Sequence, residues 1–445
     1  MQIYLALLLG IVGLMCLYFL RSKTARNPFA FLVLIAFFLP FERIPTVVVN
    51  DFTLKINHIV GIIFLVFWFL DRAVRRKEKF ITNPIAIPLL LLIGSLFLSL
   101  THAQLLSRGI IFTVQILFTI LLAIATNDSI RKKSHIDAIE RVIFASAWVV
   151  VIFALWQFIG DLIGLPWSLT GLDVGFSKIV FGFPRVQAFS KEPLYLANYL
   201  FIPMGFLIGS FFSGEKIATH KKWLLVGICV VILLTMSRGG IIGFIAAGGI
   251  GTLIWAKKMF TITNFFIVTF GAMAVIGAVY GGLTLYGDGG VQRYVEHITI
   301  GDIGQGESTV SRLGAVDQSI DIWKEHPVIG IGIGNFGGTQ TGFDMDDPRT
   351  KNIVNNEYFE LLAETGIIGL GSFLVLIGVV FVRSIRAIHA TTSFRYRSLT
   401  IGLSLALFGI LVQYNFFSTL SIMYIWVFIG VVLAVQTLAL KERTQ

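Results

Sequence analysis

"LLTMSRGGIIGF", Leu233 to Phe244, sets one arginine between two strongly apolar runs. Trp223–Met236 precedes it, Ile241–Trp255 follows it, and both read as membrane spans. An arginine at the centre of a bilayer costs about 2.5–3.5 kcal/mol on insertion scales. Arg238, flanked by Ser237 and the pair Gly239–Gly240, is therefore expected in a tight turn between two spans. The glycines give the backbone the freedom that such a turn requires.

The rest of the chain supports that reading. Of 445 residues, 56% are hydrophobic and only 13% charged, against the roughly 25% charged of a soluble domain. Mean hydropathy is +0.84. Apolar runs of membrane-spanning length predict thirteen spans, at 3–20, 28–41, 56–70, 84–101, 107–125, 138–160, 193–213, 222–236, 239–256, 261–285, 357–382, 398–415 and 418–439. Basic clusters recur after every second span, from Arg21/Lys23/Arg26 through Arg131/Lys132/Lys133 to Lys441/Arg443, and hold 23 of the 35 lysines and arginines. The positive-inside rule makes that side cytoplasmic. The net charge of +10 is then explained by cytoplasmic loops beside anionic lipid, and no nucleic-acid partner is expected. The first span lacks the basic n-region and A-x-A site of a signal peptide and is read as a mature span. Cys16 and Cys229 both fall inside spans, which points to neither a disulfide framework nor a metal site.

The expected organisation is ten spans in 1–286, a large external loop over 287–355, and the remaining spans in 356–445. The loop carries ten acidic residues against five basic ones, the reverse of the chain as a whole. Within it, Val310, Leu313, Val316, Ile320 and Trp323 recur every three or four residues and predict an amphipathic helix. Ser308 is the expected cap and Pro327 the stop. The apolar face is expected to lie on the membrane surface or on the tops of the spans. "GIGNFG", Gly332 to Gly337, matches G-x-G-x-x-G but lacks the βαβ context of a dinucleotide site, so its glycines are read as permitting close turns against membrane or substrate. "DMDD", Asp344 to Asp347, reads as a solvated acidic loop in preference to a metal site.

A second external segment, Leu165 to Lys191, leads into Glu192–Pro193, where Pro193 suits the first helical position and Glu192 the N-cap. Arg185, Arg238 and Arg312 thus all fall on the external side. Each alone is explicable as a headgroup anchor or surface ion pair. Together they form an expected phosphate or diphosphate site, because guanidinium forks bind such oxygens in bidentate fashion and stay charged.

Four stretches make the chain resemble the O-antigen ligase and polysaccharide polymerase superfamily of bacterial envelopes. They are "SRGG" (Ser237–Gly240), "SRLGAVDQSIDIWKEHPVIGIGIGNF" (Ser311–Phe336), "NNEYFELLAETGIIGLGSFL" (Asn355–Leu374) and, more weakly, "PRVQAFSKEPLYLANYL" (Pro184–Leu200). The resemblance implies an all-α polytopic membrane glycosyltransferase of the GT-C type, with 12–13 transmembrane helices, in a bacterial cytoplasmic membrane with its active site facing outward. Its donor would be an undecaprenyl-diphosphate-linked glycan. A chain-length regulator and a flippase are the further candidate partners. Many relatives carry a histidine where this chain has Asn355, followed by Asn356. Asparagine accepts no proton near neutral pH, which leans the reading from ligase toward polymerase. His326 reads as a helix-end histidine.

On this reading Arg238, Arg185 and Arg312 stabilise the charge that develops on the leaving diphosphate, and no metal is expected. Glu192 is the candidate general base. Asn355, Asn356 and Tyr358 are candidates for holding sugar hydroxyls, with Ser237 and Gly239 shaping the arginine turn. Trp167 and Tyr195 are candidates for stacking on sugar rings. The alternatives are a ligase that transfers finished glycan to a lipid or cell-wall acceptor, and a flippase. No internal repeat and almost no mid-span charge, the marks of a transporter, are found. A non-enzymatic assembly scaffold is the remaining class.

Overall fold

The computed structural model describes residues 28–43, 46–49, 52–76, 85–173, 175, 183–212, 218–259, 307–344 and 347–442. The expected spans at 3–20 and 261–285, Cys16 and part of the "DMDD" run lie outside them. Each of the other expected spans contains a helix: α1 (Pro28–Phe38), α2 (Ile56–Leu70), α3 (Ala86–Ser99), α4 (Leu106–Ser129), α5 (Lys133–Leu162), α6 (Pro193–Phe212), α7 (Thr219–Leu234) and α8 (Arg238–Met259), followed after the loop helix α9 (Glu307–Glu325) by α10 (Glu357–Ala390), α11 (Phe394–Gln413) and α12 (Met423–Lys441). Among the described residues seven helices are long and apolar enough to cross a membrane. The protein is an all-α polytopic membrane protein. A short antiparallel hairpin departs from pure helix: β1 (Thr46–Val49) pairs with β2 (Phe52–Lys55) in the register Thr46↔Lys55. β-Branched residues dominate β1 and suit it to a pleated pair.

Helices α6 and α12 are buried on nearly all sides and form the centre of the bundle. A helix apolar all round belongs inside, and Trp426, Tyr424 and Phe428 fill the space around α12. Helix α11 lies against α6 with almost no side chain between them. A Cβ on Gly402 would come within 2.3 Å of Gly205 O and 2.6 Å of Gly209 N. Lipid gives helices no hydrophobic reason to associate, so small residues that let backbones meet supply the packing.

The two ends of the bundle differ in their polar chemistry. At one end Arg395 bridges Asp137 and Glu140 on α5, and Lys221 on α7 reaches Glu140 at 2.7 Å. Arg72 pairs with Asp128 at 2.7 Å at the same end, beside Trp68. Arg72, Lys221 and Arg395 belong to the basic clusters of the sequence. The opposite end, the site face, gathers the α3–α4, α7–α8 and α11–α12 turns, the segment before α6 and the start of α10.

The loop residues 327–337 are pinned to this site face by α10. Residues 327–332 run antiparallel to 363–368, with Ile331 N–H donating to Ala363 O at 3.1 Å, Gly332 N–H to Glu364 O at 2.9 Å and Ile367 N–H to Pro327 O at 3.0 Å. The approach is so close that a Cβ on Gly366 would lie 2.3 Å from Val328 C, and Gly366 has a φ of 64° that kinks α10. The "GIGNFG" loop then closes around the buried Glu364 carboxylate, whose two oxygens accept from Gly334 N–H at 2.7 Å and Phe336 N–H at 2.9 Å. Successive backbone donors of this kind form an anion-binding nest. The glycines therefore serve a contact with the chain's own carboxylate and with the α3–α4 turn, where Gly332 rests on Ala103 and Asn335 Oδ1 accepts from Leu105 N–H at 2.8 Å. This corrects the expectation of a turn against membrane or substrate.

Helix α9 is present as expected and stops before Pro327, but Ser308 sits in its first turn, after its first residue Glu307. Its buried face is also rotated from the expected one. Ala315, Val316 and Ile322 pack on Ile331, Phe336, Val354 and Ala363, and Ser319 is buried with its hydroxyl donating to Ala315 O. Leu313 stays 53% exposed. The helix thus rests on the start of α10, which supplies the apolar surface that a lone amphipathic helix lacks.

Replacing Glu364 by Ala orphans two buried N–H donors, at about 1–3 kcal/mol for each. Protease digestion of the detergent-solubilised variant is expected to cut within 327–355 under conditions where the unaltered protein is resistant. Equal resistance would show that the nest does not hold the loop. Gly366→Ala is expected to lower the thermal unfolding midpoint, since a side chain there meets both the Val328 backbone and a left-handed φ.

Candidate functional site

The α7–α8 turn places Arg238. Leu234 and Thr235 end α7, Met236 takes a left-handed φ of 47°, and Ser237 opens α8 by accepting the Gly240 N–H on its Oγ at 3.2 Å. Ser237 is thus a buried N-cap, and Arg238 is the first residue of α8. Gly239 lies flat against Phe416, where a Cβ would come within 2.8 Å of Phe416 Cβ. The arginine is therefore held at the head of α8 by a turn packed on the α11–α12 connection.

Arg185 arrives from the extended stretch before α6. Val186 N–H donates to Leu234 O at 3.2 Å, and Arg185 Nε donates to Thr235 O at 3.2 Å. Arg312 arrives on α9. It makes no ion pair among the described residues, contrary to the surface-pair explanation. The three arginines converge. Burial lowers the Arg312 guanidinium from its ordinary value, Arg238 lowers it further, and Glu192 draws it back. Arg185 is lowered by burial, raised by Glu192, and lowered by Arg312 and Arg238. Arg185 and Arg312 thus both lie within electrostatic reach of Arg238 and of Glu192. Guanidinium groups remain charged despite such shifts, so the cluster is a strongly positive field.

Arg238 and Arg312 line a pocket of about 300 Å³. Its polar rim is completed by Asn355, Asn356 and Asn415, and its walls are Ile241, Ile242, Leu313, Val316, Phe359 and Phe416. Asn355 has a φ of 59°. Asparagine and histidine are among the few side chains enriched in that left-handed region. Asparagine suits this backbone and is not a proton acceptor near neutral pH. Asn356 caps α10, its Oδ1 accepting from Tyr358 N–H at 3.1 Å and Phe359 N–H at 3.3 Å. Tyr358 does not reach the pocket. Its hydroxyl donates to Leu411 O at 2.7 Å and its ring packs near Tyr414 and Phe373, so the geometry gives it an internal role.

Pro193 is the first residue of α6, as expected, and Glu192 O accepts from Tyr195 N–H at 3.1 Å and Leu196 N–H at 3.2 Å. The Glu192 side chain is exposed. Tyr195 packs on Phe417, 5.5 Å between ring centroids, and Trp167 lies exposed in the turn Trp167–Thr170. His326 is exposed at the end of α9, 5.8 Å from the His102 ring. Asp347 pairs with Arg349 at 2.7 Å. Among the described residues no group of three histidine, cysteine or acidic side chains is arranged to hold a metal ion.

One cluster escaped the sequence reading. Glu357, Glu360 and Glu364 line a second cavity of about 70 Å³. Their spacing of three and four residues puts them on one helix face, a signal present in "NNEYFELLAETG". Glu357 accepts the Thr419 N–H, Glu360 accepts the Val354 N–H at 2.8 Å, and Arg108 on α4 lies within electrostatic reach of Glu360 and Glu364. Arg108 also donates to Thr350 O and sits over the Phe112 ring.

Comparison with known proteins bears on the same residues. No curated protein matches the chain. Residues 223–374 match the family described as O-Antigen ligase. The matched stretch contains the arginine turn, α9, the Glu364 nest and the asparagine pair, three of the four motifs on which the resemblance rests. With the helical membrane architecture, the match supports assignment of the chain to an O-antigen ligase and polymerase-like superfamily.

Proposed function

We propose that the protein polymerises undecaprenyl-diphosphate-linked oligosaccharide repeat units into surface polysaccharide, at the outer face of a bacterial cytoplasmic membrane. The superfamily assignment carries only the coarser reading, a membrane enzyme of the ligase or polymerase type. The observation that supports the finer one is the pocket in which Arg238 and Arg312 meet walls that are otherwise apolar. A lipid diphosphate has that same division of charge and hydrocarbon. Below the arginines, Ile242 and Ile245 continue the apolar surface outward along α8, Ile245 being 65% exposed, as a track for the polyprenyl chain.

In this reading the glycan's anomeric carbon sits beside the arginines, its hydroxyls against Asn355 and Asn356. An acceptor hydroxyl attacks, the bond to the diphosphate breaks, and the guanidiniums meet the charge that develops on the departing oxygens. Preorganised charge of this kind is usually a large catalytic contribution. It requires no metal. Glu192, beside Arg185 and Arg312, receives the acceptor proton. Asn355 favours polymerase over ligase, since it stands where the resemblance to the ligases would place a histidine.

Deletion of the gene, followed by analysis of surface glycan and lipid-linked intermediates, tests the reading. Single repeat units on undecaprenyl diphosphate with no long chains are the expected result. Long lipid-linked chains that never reach their anchor would make the protein a ligase, and repeat units trapped on the cytoplasmic leaflet would make it a flippase. Arg238→Ala is expected to reduce chain formation about 10²–10³-fold, as for loss of a preorganised donor. Arg238→Lys is expected to fall well short of full activity for want of the bidentate fork. Full activity of both variants at normal membrane levels would leave Arg238 a headgroup anchor. Orientation is read separately. In a cysteine-free background, Glu325→Cys is expected to react with an impermeant maleimide in intact cells, and Lys222→Cys only after permeabilisation.

A further inference from the structure

A second carboxyl, Glu42, lies within electrostatic reach of Glu192. Glu42 follows α1 in a segment bound to the stretch before α6. The N–H groups of Glu42 and Arg43 both donate to Phe189 O, at 3.1 and 2.8 Å, and Phe41 stacks on Phe189 with ring centroids 4.5 Å apart. Arg43 ties the same segment to Gly171 O and lies 3.8 Å from Asp173. Glu42 is only 5% exposed, and its Oε2 is buried without a hydrogen-bond partner. A buried carboxylate oxygen left unpaired is costly, so a merely structural position would favour glutamine or an apolar residue.

The groups facing Glu42 come from four elements. They are Lys55 at the end of β2, Lys191 and Glu192 before α6, Tyr195 on α6 and Tyr424 on α12. His58 on α2 shares Lys55 and Lys191 as neighbours. Burial pushes the Glu42 carboxyl above its ordinary value. Lys55, Lys191 and the Lys191 N–H draw it back, and Glu192 adds to the rise. Two carboxylates whose environments differ in this way, one exposed and one buried, suit a division of labour in proton handling.

Resting on the functional reading above, we propose that Glu42 is a proton-holding partner of Glu192 in the transfer reaction. The acceptor O–H bond breaks as its oxygen bonds to the anomeric carbon. The bond from that carbon to the diphosphate oxygen breaks, and its electron pair leaves on the diphosphate. The proton passes to Glu192 and from there to Glu42. It returns through Glu192 to external water, which restores both carboxylates. Glu42 acts through Glu192 and does not itself touch substrate.

The test uses the full-length protein in lipid nanodiscs with undecaprenyl-diphosphate-linked repeat units, chain formation being followed from about pH 5 to about pH 9. The unaltered protein is expected to lose rate as the pH falls through the raised Glu42 value, because the carboxylate form accepts the proton. Glu42→Gln is expected to lower the rate about 10²-fold at the optimum and to change the acidic limb. Glu42→Asp, which keeps a carboxylate, is expected to recover much of the rate and the original pH dependence. An unaltered rate and acidic limb in Glu42→Gln overturn the proposal while leaving the functional reading intact. Failure of the unaltered protein to extend these substrates overturns the functional reading itself. If Glu42→Gln does not accumulate in the membrane, infrared titration of the unaltered protein and of Glu42→Asp decides the matter. A buried carboxyl band that titrates along the acidic limb and shifts in Glu42→Asp supports Glu42, and a band spectrum unchanged by that substitution overturns it.

Discussion

The contact on which the site depends is a carboxylate held by two backbone N–H groups. Glu364, near the head of α10, fills the nest formed by Gly334 and Phe336. That bond fixes the "GIGNFG" loop on the site face, and the antiparallel run of 327–332 beside 363–368 extends the seam. Helix α9 packs on the surface so created. Arg312 belongs to this loop helix and Arg238 to a turn between membrane helices, so their meeting requires the loop to be held firmly. The bond to buried backbone donors is strong because all three partners would be costly to leave unpaired.

The site is built from turns, and each turn is set by a helix pair beneath it. Backbone contact between α6 and α11 brings the start of α6, with Glu192, to the same end as the α11–α12 turn, with Asn415 and Phe416. Phe416 in turn holds Gly239, and through it the arginine turn. The chemistry of the pocket thus rests on residues with no chemistry of their own. This is a common economy in membrane enzymes, where small residues supply proximity that apolar burial cannot supply in lipid.

Three guanidiniums and one exposed carboxylate form the outer layer, and a set of buried carboxylates lies inward of them. Tyr195 lies within electrostatic reach of Glu192 and Glu42 on one side and of Glu357 and Glu360 on the other. The site face therefore pairs a cationic pocket with an acidic interior.

Much of this was legible in the chain alone. Long apolar runs can only be helices in lipid, because every backbone N–H and C=O must be satisfied within the segment, and Arg238 between two such runs had to lie in a turn. The common side of Arg185, Arg238, Arg312 and Glu192 followed from counting spans. The sequence did not show the rotation of α9 about its axis, which depends on the surface α10 offers. It did not show that Tyr358 turns inward to Leu411 O, nor that the glycines of "GIGNFG" cradle Glu364, since both depend on residues distant in the chain. Glu42 was beyond sequence reading for the same reason. Its burial, and its nearness to Lys55, Lys191 and Glu192, exist only once Phe189 and β2 have been packed against it. Hydrocarbon length and side-chain charge act along the chain and can be read there, whereas burial and pairing are properties of what the folded chain brings together.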